Sequence, residues 1–189
     1  MPSEKSDKRA ALLEAALELF AENGFHGAPT SLIAERAGVG VGTIYRYFKD
    51  KDELIRELHQ ELHARATTWI CEGYCEDQPV RERFIFLMNR LLRLFISEPR
   101  EFRFMEQYYY SPFPQACGYS APGEEEVIKQ LLLFAREQQI IKDAPLPVLE
   151  AIAFGPLVAL AKEHGIRQLA VDETMLRTIV ESCWDGLKR

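Results

Sequence analysis

From Leu13 to Leu187 the apolar residues recur three and four positions apart, and over no convincing length do they alternate with polar ones. A half-buried strand requires that alternation, so the chain is predicted to be all-α. Leu13, Ala16, Leu17 and Phe20 mark a first helix that stops at Asn23-Gly24, because glycine tolerates the left-handed backbone that ends helices. Pro29 suits the first position of a short second helix carrying Leu32, Ile33, Arg36 and Ala37, which Gly38 closes. A third short helix, Val41 to Phe48, precedes Asp50 and Glu53, whose spacing resembles a capping box for a long fourth helix bearing Leu54, Leu58, Leu62 and Trp69.

The pattern continues to the end of the chain. Phe84, Leu87, Met88, Leu91, Leu94 and Phe95 mark a fifth helix, and Pro99 opens a sixth through FRFMEQYYY. Pro112, Pro114, Gly118, Pro122 and Gly123 then form a loop before a seventh helix that starts at Glu124 to Glu126 and buries Val127, Leu131, Phe134 and Ala135. Pro147 starts an eighth, with Leu149, Ile152, Ala153, Pro156, Leu157, Leu160 and Ala161, in which Gly155-Pro156 would introduce a kink. Asp172 caps a ninth, with Leu176, Ile179, Val180, Cys183, Trp184 and Leu187. At 189 residues the chain has room for two compact units, divided here into 1–52 and 53–189.

The polar start MPSEKSDKR leads into an amphipathic run, so neither a secretory signal nor a membrane span is expected, and a cytoplasmic location is. Cys71, Cys75, Cys117 and Cys183 are too scattered for a disulfide framework. Cys71 and Cys75 would share a helical face, but no second pair follows at zinc spacing, and packed thiols are the expectation. The net charge is −6, and residues 1–60 hold eight Lys/Arg against ten Asp/Glu. That balance argues mildly against a nucleic-acid partner unless a local basic face exists, and Arg46, Lys49 and Lys51 do fall together.

The stretch AGVGVGTIYRYF, Ala37 to Phe48, decides between two classes. A dinucleotide loop needs a strand before it and glycine at the sixth position, where Thr43 stands; a Walker loop needs Gly-Lys-Ser/Thr, which is absent. A helical corner uses each glycine instead: Gly38 ends the second helix, Gly40 caps the third, and Gly42 leaves bare backbone where another surface can approach. Two short helices about a glycine turn, preceded by a longer one, form a helix-turn-helix. Its last helix would turn Ile44 and Phe48 inward beside Phe20 and Ile33 and expose Val41, Thr43, Tyr45, Arg46 and Tyr47 to a major groove. Lys51, at a helix start, suits a phosphate.

The segment PTSLIAERAGVGVGTIYRYFKDKDEL resembles the DNA-binding domain of TetR-family transcriptional repressors. Ile33-Ala34, Ala37-Gly38-Val39, Gly42-Thr43, Tyr45, Phe48, Lys51 and Leu54 stand in the family's register, and Gly24-Phe25 upstream matches its Gly-aromatic pair. The resemblance implies a three-helix DNA-binding domain followed by a helical bundle for ligand binding and dimerisation, about nine helices in all. It implies that Thr30, Ser31 and residues 40–47 (Gly40, Val41, Gly42, Thr43, Tyr45, Arg46 and Tyr47) meet DNA, with Lys51 on a phosphate. Two departures stand out. Ala28-Pro29 replaces a hydroxyl-bearing start to the second helix, and Val41 replaces a polar residue, which shifts base readout toward apolar contact.

The resemblance further implies that the last two helices pair with those of a second copy, through Leu157, Leu160, Leu176, Ile179, Val180 and Trp184. A single helix-turn-helix also binds weakly, whereas a two-fold dimer reads two half-sites of a palindromic operator roughly 34 Å apart. The family holds a small, largely hydrophobic effector among such helices, for which Phe86, Met105, Tyr109, Phe134 and Phe154 are the candidates. An aromatic stripe at helical spacing equally reads as plain core, and both readings stay open. No metal or cofactor is expected. His59 and His63, four apart on the fourth helix, lack an HExxH frame and read as a surface pair; His26 and His164 are isolated, so no catalytic constellation forms and an enzyme is not expected. The reading is a homodimeric repressor released by its effector; the alternative is an effector-independent architectural DNA-binding protein.

Overall fold

The computed structural model describes residues 4–113 and 124–189, of which 4–6 and 124–126 by their backbone alone. The predicted loop residues Pro114, Gly118, Pro122 and Gly123, and Cys117, lie outside the described residues. Nine helices are described: α1 (Glu4–Gly27), α2 (Thr30–Arg36), α3 (Val41–Ile44), α4 (Lys51–Cys71), α5 (Val80–Ser97), α6 (Pro99–Tyr109), α7 (Glu124–Glu137), α8 (Leu146–Arg167) and α9 (Glu173–Leu187). No strand occurs among the described residues; the one extended pairing is a bridge between Ile141 and Lys188.

The chain divides into two compact units, and the division falls inside α4, between Leu62 and His63. The first unit contains α1, α2, α3, the start of α4, and α6. Its core joins Leu12, Leu13, Ala16, Leu17 and Phe20 to Ile33, Ala34, Ile44, Phe48, Leu54, Ile55 and Leu58. Phe104 of α6 completes it, fully buried, with its ring 5.6 Å from Phe25 and 6.2 Å from Phe20. Arg9 ties α1 to α4, its guanidinium donating to Glu57 at 2.6 Å and to Glu61 at 3.2 Å. The Glu57 bond holds the Arg9 pKa above its ordinary value.

The second unit packs α5, α7, α8 and α9 around Phe84, Leu87, Met88, Leu91 and Leu92. Helix α8 buries Leu149, Ala153, Leu157 and Ala161, a strict four-residue repeat. Gly186 lets α9 approach it, since a Cβ there would lie 2.9 Å from Ile152 Cγ2. Arg93 on α5 grips Glu173 at the start of α9 through both carboxylate oxygens, which lowers the Glu173 pKa.

Several local expectations hold in detail. Gly24 breaks the helical backbone of α1 with φ +72°. Pro99 opens α6, and the Asp172 side chain accepts from Met175 N at 2.8 Å as the α9 cap. Asp50 Oδ1 accepts from Glu53 N at 2.8 Å, while Glu53 reaches back to the amide of Lys49 rather than to that of Asp50.

Others are corrected. Pro29 is the N-cap of α2, with extended ψ 150°, not its first helical residue. The third helix is only four residues long: after Ile44 the chain tightens, Arg46 N bonding Thr43 O and Tyr47 N bonding Ile44 O, three residues back. On α7 the buried stripe is Ile128, Leu131, Leu132 and Ala135, which leaves Val127 half-buried and Phe134 exposed. Four consecutive apolar residues, Leu131 to Phe134, give the helical period no basis for choosing a face. The histidines are not a surface pair: His63 is 5% exposed, and His59 stacks on Tyr108 with centroids 3.7 Å apart. Cys71 ends α4 and Cys75 lies in the turn beyond it, so they share no helical face; Cys183 is buried, which raises its thiol pKa to about 11.

Replacing Phe104 by alanine should cost about 3–5 kcal/mol in urea unfolding, the range for emptying a fully buried ring site. The same change at exposed Tyr109 should stay within about 0.5 kcal/mol.

Candidate nucleic-acid interface

The corner between α2 and α3 is built by backbone bonds. Val39 N bonds Ala34 O at 2.9 Å and Gly38 N bonds Glu35 O at 3.0 Å, with Gly38 at φ +68°. This pair of bonds is a Schellman motif, and its left-handed residue is the one the motif requires. Gly40 then caps α3 from the extended region, and Thr43 N bonds Gly40 O at 2.8 Å. Ile44 and Phe48, each 1% exposed, anchor the segment in the first core as the sequence predicted.

The opposite face is open. Val41, Gly42, Tyr45 and Arg46 are exposed, Tyr45 to 54%, while Thr43 and Tyr47 are half-buried, Tyr47 against the core. A Cβ at Gly42 would meet no atom within 4 Å, so the protein itself does not require glycine there. Thr30, first residue of α2, stands 3.3 Å from the Tyr45 hydroxyl through Oγ1, and Ser31 beside it is exposed. Gly40, Val41, Gly42, Tyr45 and Arg46 thus form an exposed ridge with Thr43 half-buried within it, Thr30 reaches its Tyr45, and Ser31 is exposed beside Thr30. Lys49 is exposed just beyond the ridge.

Lys51 is placed differently from the rest. Its ammonium donates to the Phe25 carbonyl, lies 5.7 Å from the Phe20 ring centroid, and has its pKa lowered by burial. It closes the chain end that Gly24 breaks, and an ammonium with three donors keeps capacity for a further oxygen. Sequence reasoning missed this bond, because nothing in the local pattern brings residue 51 to residue 25.

The effector candidates fall in both units. Met105 and Tyr109 belong to the first unit, Tyr109 exposed; Phe86, Phe134 and Phe154 belong to the second, Phe134 exposed. A polar open cavity of about 280 Å³ lies elsewhere, lined by Arg136, Glu137, Gln139, Ile141, Asp143 and Arg189. Of the residues assigned to a subunit interface, Leu157, Leu176, Val180 and Trp184 are buried in the chain's own core; Leu160 and Ile179 are half-buried against it. The outer side of α8 instead shows Val148, Ala151, Gly155 and Ala159.

A glycine-turned helix pair with an anchored, outward-facing prong, joined to a second all-helical unit, defines a helix-turn-helix regulator. Comparison with known proteins gives the family. Residues 12–58 match the bacterial regulatory proteins of the tetR family, and residues 79–188 match the tetracyclin repressor-like C-terminal domain. The chain belongs to the TetR family of transcriptional regulators, which is not a family of enzymes. It is 32% identical over 95 residues to the fatty acid metabolism regulator protein of Bacillus subtilis, a match covering 50% of this chain and about half (49%) of that relative's length. A TetR family transcription regulator from Marinobacter aquaeolei VT8 has the same fold, with TM-score 0.83, 23% identity and 96% of each chain covered. So does the transcriptional regulator FadR of Bacillus subtilis, solved in complex with stearoyl-CoA, with TM-score 0.74, 20% identity, and 93% and 95% covered. Among the described residues no helix is long and apolar enough to cross a membrane, and no group of His, Cys, Asp and Glu is placed to hold a metal.

The two glycines of the corner should separate in stability. Gly38→Ala should cost about 1–2 kcal/mol, since a Cβ is strained at that φ even with space around it. Gly42→Ala should be neutral or stabilising by up to about 1 kcal/mol, because it adds helix propensity without a clash. Thermal and urea unfolding of the two variants checks this.

Proposed function

We propose that this TetR-family chain is a cytoplasmic homodimeric repressor that grips a palindromic operator with two copies of the Gly40–Arg46 ridge and is released by a small, largely hydrophobic effector. The observation that carries the reading is the ridge itself. Ile44 and Phe48 fix its orientation from inside, and the side chains left outside are a hydroxyl, a guanidinium and a valine.

Each exposed group has a task. Arg46 pairs with a guanine edge or a phosphate, and the Thr30–Tyr45 hydroxyl pair positions the start of α2 on the same backbone. Val41 packs on a thymine methyl. The bare Gly42 allows the duplex backbone to come within contact of α3, and Lys51 adds its spare donors to a nearby phosphate. Arg46 and Lys49 supply the local positive charge that a net charge of −6 otherwise withholds.

The outer side of α8 and the exposed positions of α9 supply the self-complementary surface, with Leu160 and Ile179 at its margin. The match to a fatty acid metabolism regulator supports an acyl compound as the effector class. Phe86, Phe134 and Phe154 of the second unit line its path. A hundredfold loss of operator affinity needs only about 2.7 kcal/mol of coupling between the sites.

The test is fluorescence anisotropy on duplexes selected by the protein from a random pool, with oligomeric state measured in parallel. Affinity should fall steeply between 50 and 200 mM salt, roughly a hundredfold or more for a dimer making several phosphate contacts. Arg46→Ala should weaken binding about tenfold or more at unchanged melting temperature, and Gly42→Leu should abolish it with the melting temperature unchanged or raised. A monomer, or an affinity flat in salt, overturns the reading.

A further inference from the structure

In the second unit two arginines and four aromatic rings form an unbroken ladder along the edge of the core, against which Tyr74 and Phe86 pack. The Arg90 guanidinium carbon lies 4.2 Å from the Trp69 ring centroid and 5.8 Å from that of Phe86. Phe86 meets Tyr74 at 6.3 Å, and Arg83 lies 5.4 Å from the Tyr74 centroid and 5.8 Å from Phe134. The outer rings are exposed, Trp69 to 37% and Phe134 to 43%.

The two cations are held differently. Arg90 donates through Nη2 to the Trp69 carbonyl and to Glu72, which partly neutralises it, and its buried Nε has no protein partner. Arg83 donates through Nε to the Tyr74 hydroxyl at 2.8 Å, and among the described residues no carboxylate pairs with it. Its ring contacts and this one bond hold the guanidinium plane, and among the described residues neither Nη bonds a protein group. A guanidinium so held and so unneutralised is a preorganised receptor for phosphate, and the exposed rings beside it offer flat faces to a base.

We propose that this ladder binds the adenine nucleotide head of a coenzyme A thioester, with Arg83 taking the phosphates and Trp69 or Phe134 stacking on the adenine. The shared chemistry, an adenine ring carrying several phosphates, also describes a free nucleotide. The thioester is the committed source because a protein of this fold is solved with stearoyl-CoA and because the effector reading calls for an acyl chain. The assignment therefore rests on that reading for the choice of the thioester and for its consequence, release of DNA, but not for nucleotide binding itself.

The experiment titrates the full chain, without DNA, with coenzyme A, ADP, adenosine and pyrophosphate, reading Trp69 fluorescence and calorimetric heat. Trp184 is buried and serves as the unresponsive background. Coenzyme A should bind at least tenfold tighter than ADP, and adenosine and pyrophosphate separately more weakly still. Arg83→Gln should lower coenzyme A affinity about tenfold at unchanged melting temperature. Trp69→Leu should lower it several-fold by calorimetry. Absence of binding, unchanged binding in Arg83→Gln, or equal binding of pyrophosphate alone overturns the site, and equal binding of ADP overturns the thioester source. A parallel anisotropy titration of the DNA complex separates the two readings: release by a free fatty acid with no coenzyme A binding sinks only the ladder, whereas coenzyme A binding with no release by any acyl compound sinks only the effector.

Discussion

Two buried side chains, Ile44 and Phe48, hold α3 and its exposed face in place. A four-residue helix has too few internal bonds to persist by itself, because nucleation costs more than one turn returns. Here the turn survives because both its ends and its inner face are tied. The Schellman bonds around Gly38 set its beginning, the Asp50–Glu53 pair sets the start of the next helix, and the two apolar anchors sink into a core shared with α1, α2 and α4. What remains outside is a narrow face of Val41, Tyr45 and Arg46, bare at Gly42. That face carries a hydroxyl, a guanidinium and a valine in an otherwise acidic chain, so local placement rather than bulk charge sets what it can bind.

The second unit is organised by a different constraint, close helix approach. The four-residue repeat of α8 buries a leucine–alanine alternation, and Gly186 removes the side chain that would hold α9 away from it. The consequence is that the largest apolar residues of α8 and α9 are consumed inside one chain. A subunit interface built on these helices has to use their small outer residues, Ala151, Gly155 and Ala159, with the half-buried Leu160 and Ile179 at the edge. The ladder of Arg83, Arg90 and their aromatic neighbours sits in the same unit as an arrangement of charge against rings, a distinct kind of surface from the exposed face of α3.

Features decided within a few residues were legible in the amino-acid sequence. The helical class, the stops at Gly24 and Gly38, the caps at Asp50 and Asp172, and the inward turn of Ile44 and Phe48 all follow from backbone freedom, short-range hydrogen bonds and the 3.6-residue period, none of which needs a partner far along the chain. Tertiary structure alone decided the rest. It placed Phe104 in the first core although α6 follows five helices, turned the Lys51 ammonium onto Phe25, chose Leu132 over Phe134 as the inner face of α7, and covered Leu157 and Val180 within one chain. The physical reason is common to all four: a wide apolar stripe or a long flexible side chain has several nearly equivalent partners, and which one it takes is set by neighbours that folding brings from dozens of residues away.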